Sequence, residues 1–339
     1  MSEVKNIVMS GIRPTGYLHL GNYFGAMRNY VRMQEEYPCF FMVADLHSLT
    51  THPDTRTLKE SVHRVLAENI ACGLDPEKVA FYCQSHVPET SELYLYFNML
   101  AYKGELEKTT TFKDKVRLQP DNVNAGLLTY PVLQTADILL HRANLVPVGK
   151  DQEQHLEMAR NFAQRFNHRY GPVFPEPLAF NYGQELVKVP SLDGAGKMSK
   201  SENQMTTLFL ADEDELIRKK VMKAKTDQGP LTPNSVKPDY IQNLFTLMSL
   251  VSSTDTVKKF EDDFNNSSEG NCIIRYGDMK KQLAEDMVQF INPIRTKAAD
   301  LQNNKDLLLK IIHQGADKAR ASASSTLKTV RKAVGMEYL

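Results

Sequence analysis

The chain has 339 residues, longer than one hydrophobic core usually supports, and its 41 basic and 41 acidic side chains cancel, so no whole-molecule charge attracts a polyanion. With 42% hydrophobic residues, no long uncharged apolar run and no basic-then-apolar leader at the N-terminus, it reads as a soluble, cytoplasmic, two-domain protein. Membrane-spanning and disordered classes are excluded, and any nucleic-acid contact is expected to be local.

Residues 5–12 form an apolar strand ended by Pro14 and Gly16, and Phe24, Met27 and Val31 then recur at helical spacing from Asn22 to about Glu36. A second strand is expected over 39–49. The helix after it starts at Asp54, carries the stripe Leu58, Val62, Leu66 and Ile70, and stops at Gly73. Strands at 79–85 and 144–149 and helices at 90–103 and 155–165 continue the alternation, which predicts an α/β fold: a Rossmann-type, doubly wound parallel sheet with helices on both faces. Beyond residue 203 only helical spacing is found, so residues 1–203 are read as the sheet domain and 204–339 as a helical one. The stretch from Gly229 to Pro238, with three prolines, is a loop. The cysteines Cys39, Cys72, Cys83 and Cys272 form no CxxC pair and read mainly as structural thiols; no metal cage is apparent.

Two segments carry chemistry. The first strand runs through Arg13-Pro14-Thr15-Gly16 into His19-Leu20-Gly21-Asn22, where a helix begins. A helix N-terminus beyond the carboxyl end of a parallel strand offers N–H groups to phosphate, and Gly21 lets a flat base approach; an ordinary Gly-rich turn is the structural alternative. The second segment, Gly194-Ala195-Gly196-Lys197-Met198-Ser199-Lys200-Ser201, joins two glycines to two lysines three residues apart that can converge on a polyphosphate. An exposed basic loop is its bland counterpart. Asp137 lies in the otherwise apolar helical run 127–140, where a carboxylate must find a donor.

HLGN resembles the HIGH signature, and KMSKS is the second signature, of class I aminoacyl-tRNA synthetases. With SGIRPTG, VADLHSLTT, GELEKTTTFKDK, GLLTYPVLQTADILL, VPVGKDQEQHLEMARNFAQRFN and GADKARASASSTLKTVRKAVG, the chain is similar along essentially its whole length to bacterial-type tryptophanyl-tRNA synthetases. The resemblance implies catalytic roles for His19, Asn22, Lys197 and Lys200, and ATP contacts from Arg13, Pro14, Thr15, Gly21, Asn22, Gly149, Lys150, Asp151, Val189, Lys197, Met198, Ser199, Lys200 and Ser201. For tryptophan it implies Asp137 as acceptor of the indole N–H, with Met9, His47, Tyr130, Gln134, Val146, Val148 and Gln152 around it. Gln134 stands where methionine usually packs on the indole, and Met9 where phenylalanine is frequent; tyrosyl enzymes carry a glutamine at the former spacing, so tyrosine is the alternative substrate.

ATP, accompanied by Mg²⁺ held by phosphates and water, and tRNA(Trp) are the implied co-substrates. A homodimer is implied too, with an insertion at about 104–140 as its interface. Basic residues at 218–225, Lys280, Lys281, Lys318, Arg320, Lys328, Arg331 and Lys332 are candidates for the tRNA backbone, or merely solvated faces.

Overall fold

The computed structural model describes residues 6–51, 54–149, 152–180, 182, 188–194, 196–199 and 204–338. Its centre is a parallel sheet of β1 (Val8–Ile12), β2 (Cys39–Val43), β3 (Ala80–Cys83), β4 (Leu145–Val146) and β5 (Leu178–Ala179) in the order β3-β2-β1-β4-β5. The chain moves outward from β1 to β3 on one side and returns to β4 on the other, so the strand order reverses between β1 and β4. That reversal opens a crevice at the strands' carboxyl ends.

Strand alternation sends Val8, Phe41 and Val43 to one face and Met9, Met42 and Tyr82 to the other. The first face packs on the helices Thr55–Ala71 and Tyr276–Asn303, and the second on Glu89–Asn98, Ala125–Leu140 and Glu153–Tyr170. The Thr55–Ala71 helix shows how sequence sets an element: Asp54 caps it by accepting from the Arg56 N–H, Val62, Val65, Leu66 and Ile70 bury one stripe, and Gly73, at φ +113°, lets the chain turn away. Each such aliphatic side chain contributes about 1.5–3 kcal/mol on burial.

Three expectations change. Residues 44–49 do not extend the second strand: the chain turns into a helix at Asp45–Ser48 because the Asp45 carboxylate accepts from the Leu46 N–H and, across the chain, from the Ser85 N–H, both at 2.9 Å. The strand expected at 144–149 keeps only Leu145–Val146, since Pro147 has no N–H to continue a ladder. The helix expected at 90–103 divides into Glu89–Asn98 and Lys103–Glu107. Strand β5, two exposed residues, has no pattern long enough to read.

After residue 203 the described regular elements are helices, the longest being Tyr276–Asn303 and Lys305–Ala333. The last one returns to the sheet. At Gly315 an added Cβ would lie 1.8 Å from the Phe81 carbonyl oxygen, so only glycine lets this helix rest directly on β3. Leu308, Ile311 and Ile312 join the first core cluster, whereas Ala316, Ala319, Ala323, Leu327 and Val330 join the second. The region beyond 203 therefore shares its core with the sheet. Among the described residues no helix is long and apolar enough to cross a membrane.

Candidate active site

A cavity of about 370 Å³ fills the crevice between β1 and β4. Small-molecule sites run about 300–1,000 Å³. Met9 and Val146 line it from the strands and Val148 from the segment after β4; Tyr130, Gln134 and Asp137 from the Ala125–Leu140 helix; His47 from the Asp45–Ser48 helix; Arg13 and Gln152 from neighbouring segments. All eight side chains expected around an amino acid are thus brought together, and Gly149 reaches the same cavity.

Asp137 is 2% exposed and accepts from two donors: His47 Nε2 at 2.9 Å, and Gln84 Nε2 at 2.9 Å to Oδ1 and 3.0 Å to Oδ2. Gln84 is itself oriented, because its Oε1 accepts from the His47 N–H at 3.2 Å, which leaves its NH₂ turned to the carboxylate. Burial raises the Asp137 pKa, and the His47 and Gln84 donors oppose that rise. The buried acceptor is already stabilised before any ligand enters.

Two turns earlier on the same helix, the Tyr130 hydroxyl donates to Thr111 Oγ1 at 2.6 Å and lies 2.8 Å from His155 Nε2, with Thr111 Oγ1 2.7 Å from the same nitrogen. His155 Nδ1 is 2.9 Å from Gln152 Oε1. An amide oxygen only accepts, so Nδ1 carries the proton, and in the neutral ring Nε2 accepts from the Thr111 hydroxyl, whose oxygen in turn accepts from Tyr130. These bonds fix the Tyr130 hydroxyl and the Gln152 amide at the cavity lining. Lys115 lies 3.8 Å from the Tyr130 ring centroid and, with Arg13, lines the cavity; burial first and the Arg13 charge second lower its pKa to about 8.

The two motifs are brought together by the chain that follows the second. Leu20 N donates to Leu208 O at 3.0 Å and Leu210 N to Leu18 O at 2.8 Å, tying HLGN to the chain that follows KMSKS. Asn22 Oδ1 accepts from the His19 N–H at 3.1 Å, closing the first helical turn. An added Cβ at Gly21 would sit 2.8 Å from the His19 ring and within ordinary contact, 3.5 Å, of the Met198 carbonyl oxygen, so the two motifs lie side by side and the His19 ring packs over Gly21. Met198 N bonds to Val189 O at 2.8 Å and Ser199 O accepts from Thr207 Oγ1 at 3.0 Å, while Lys197 is exposed. Pro14 is buried and Thr15 exposed at the turn after β1. Lys150, Asp151, Lys200 and Ser201 lie outside the described residues.

The family model for class I tRNA synthetases (W and Y) matches residues 1–292. The chain belongs to this family. It is 56% identical to a tryptophan–tRNA ligase of Porphyromonas gingivalis, over 97% of this chain and 98% of the relative, and 39% identical to one of Rickettsia felis, over 98% and 99%. Among solved structures it is similar to the tryptophanyl-tRNA synthetase of Campylobacter jejuni complexed with ADP and tryptophan, at TM-score 0.86 and 32% identity over 97% of this chain and 99% of that one.

In this synthetase several basic side chains suggested for nucleic acid are spent internally. Lys318 Nζ donates to the carbonyls of Pro76, Glu77 and Val79, Arg320 to that of His86, and Arg331 pairs with Glu92. Lys220 is buried against Asp212, Arg218 is held by Glu285, and Lys280 donates to the Met222 and Ala224 carbonyls. Lys219, Lys223, Lys225, Lys328 and Lys332 remain exposed. Sequence reading missed Gln84, Thr111, Lys115 and His155 as site residues. Lys115 stood inside the quoted GELEKTTTFKDK segment, but a lysine on a polar helix gives no local sign that tertiary packing will bury it.

Proposed function

We propose that this enzyme is a tryptophan–tRNA ligase in which Asp137 selects the amino acid. The observation that carries the reading is the buried, doubly supported carboxylate in a cavity that Met9, Val146 and Val148 also line: an ionised carboxylate only accepts, and the indole N–H only donates. Met9, Val146 and Val148 flank the indole, Gln134 covers it, and Tyr130 and Gln152 accept from the α-ammonium.

The tryptophan carboxylate attacks the α-phosphorus of ATP in line; a phosphorus–oxygen bond forms as the bond to the β-phosphate breaks, giving tryptophanyl-adenylate and pyrophosphate. Nucleophile and leaving group both come from substrates, so the protein's part is alignment and charge stabilisation. Arg13 and Lys115 supply positive charge at the cavity, and His19 and Asn22 with Lys197 and Lys200 follow the phosphates. Gly21, Val189 and Met198 border the adenine, Gly149 and Asp151 the ribose, with Pro14, Thr15, Lys150, Ser199 and Ser201 completing the nucleotide contacts. ATP enters as its Mg²⁺ complex. The 2′-hydroxyl of the terminal tRNA adenosine then takes the aminoacyl group. The exposed apolar side chains Leu95, Met99, Tyr102, Leu118 and Val123 concentrate near the 104–140 segment and suit the face of a second copy. The site of action is the cytoplasm.

The test is amino-acid-dependent exchange of pyrophosphate into ATP with tryptophan, tyrosine and phenylalanine, followed by charging of tRNA(Trp). Tryptophan alone is expected to support both; preference for tyrosine would overturn the assignment.

A further inference from the structure

The Asp137 helix is gripped twice by the end of β3. Tyr82 lies in β3 and Gln84 opens the turn that follows it, two residues on and roughly 6.6 Å along an extended chain, and both side chains reach the Asp137 helix. Asp137 and His141 are four residues apart, about 6 Å along a helix. The two spacings match: Gln84 holds Asp137, and Tyr82 Oη lies 2.8 Å from His141 Nε2. A third contact reaches the last helix, where His141 Nδ1 is 3.2 Å from Ser322 Oγ.

The charge states follow from burial. His141 is 1% exposed and its ring stacks on Phe40, centroids 4.1 Å apart and 8° from parallel. Desolvation lowers its pKa to about 3 and raises that of Tyr82, so a neutral imidazole meets a phenol. One ring nitrogen carries the proton and the other accepts, so His141 bridges the Tyr82 and Ser322 hydroxyls in either tautomer. Apolar contact alone is non-directional and tolerates sliding. A slip of one residue would rotate Asp137 by about 100° around the helix; hydrogen bonds at both rungs oppose it.

We propose that Tyr82, His141 and Ser322, none of which lines the cavity, are positioning residues for amino-acid selection: they lock the register of the Asp137 helix on β3 and make selectivity depend on the C-terminal helix. This rests on the reading of Asp137 as the acceptor of the indole N–H.

The experiment compares pyrophosphate exchange with tryptophan and with its benzothiophene analogue, in which sulfur replaces the indole N–H. The enzymes are the full-length wild type, Tyr82→Phe, Ser322→Ala and Ser322→Thr, each first shown by thermal melting to be folded. Wild type is expected to favour tryptophan. Tyr82→Phe and Ser322→Ala should each reduce that preference about three- to tenfold through a higher KM for tryptophan, with kcat and the KM for ATP held within about twofold. Ser322→Thr, which keeps the hydroxyl, should restore it. A wild type that prefers tryptophan and folded variants that keep the full preference would sink the positioning role and leave Asp137 untouched. Equal losses with tryptophan and the analogue would also count against it, as a general structural effect. A wild type indifferent to the N–H would overturn both readings.

Discussion

Asp137→Asn removes a charge from the cavity lining while keeping shape. In the native protein Oδ2 accepts from His47 and Gln84, whereas Oδ1 accepts from Gln84 alone. An ionised carboxylate has about four lone-pair positions, so Oδ1 has room for the indole N–H. A hydrogen bond to a charged group contributes about 1.5–3 kcal/mol, which corresponds to roughly 10- to 150-fold in kcat/KM for tryptophan. The penalty for the benzothiophene analogue in the wild type has the same size. A site whose buried acceptor is left orphaned rejects such an analogue by about 10⁴ or more. Here His47 and Gln84 keep the carboxylate satisfied when the N–H is missing, so only the indole's own bond is lost.

The variant should therefore lose its preference as well as its rate: the ratio of kcat/KM for tryptophan to that for the analogue is expected to fall from about 10–150 to near one. The asparagine NH₂ also meets donors of His47 or Gln84, costing about 1–3 kcal/mol of stability, which melting separates from catalysis. Because burial raises the Asp137 pKa, its protonation on acidification begins at a higher pH than for an exposed carboxylate, and the wild-type ratio should shrink on the acid side. The assay is pyrophosphate exchange across pH with both substrates. A wild-type ratio near one, or a ratio unchanged in Asp137→Asn, would refute the assignment.

Lys197→Ala should slow single-turnover adenylate formation by about 10²–10³ with little change in tryptophan affinity, because the exposed ammonium is proposed to meet charge that builds during transfer; rapid-quench assays and equilibrium binding separate the two. Gly315→Ala places a Cβ against the Phe81 backbone, which cannot yield as a flexible side chain would, and should cost about 3 kcal/mol or more in urea unfolding. His141 has a folded pKa of about 3 against 6.5 for the free residue, so its neutral form contributes stability in full above pH 6.5 that is lost progressively as pH falls toward 3. His141→Gln should flatten that acid loss, as read from the pH dependence of wild-type and variant melting.

The strand-helix alternation, the helical region beyond residue 203 and the two motifs were legible because each is a local pattern: period-two and period-3.6 apolar spacing, a glycine where the chain must turn, paired lysines in a glycine-rich loop. Asp137 was legible for the opposite reason, as a charge that contradicts its own apolar run. What supports Asp137 was not. Gln84 follows a strand and His47 lies in a segment read as strand, and only the turn made by Asp45 brings both to the carboxylate. The basic residues of the last helix misled in the same way. Their spacing suits a solvated or phosphate-binding face, yet Lys318, Arg320 and Arg331 hold the helix to the loops flanking β3 and to the Glu89–Asn98 helix. A helix laid over the edge of β3 at Gly315, clasped by those cations and joined to His141 through Ser322, is thus packed into the same scaffold as the helix that carries Asp137.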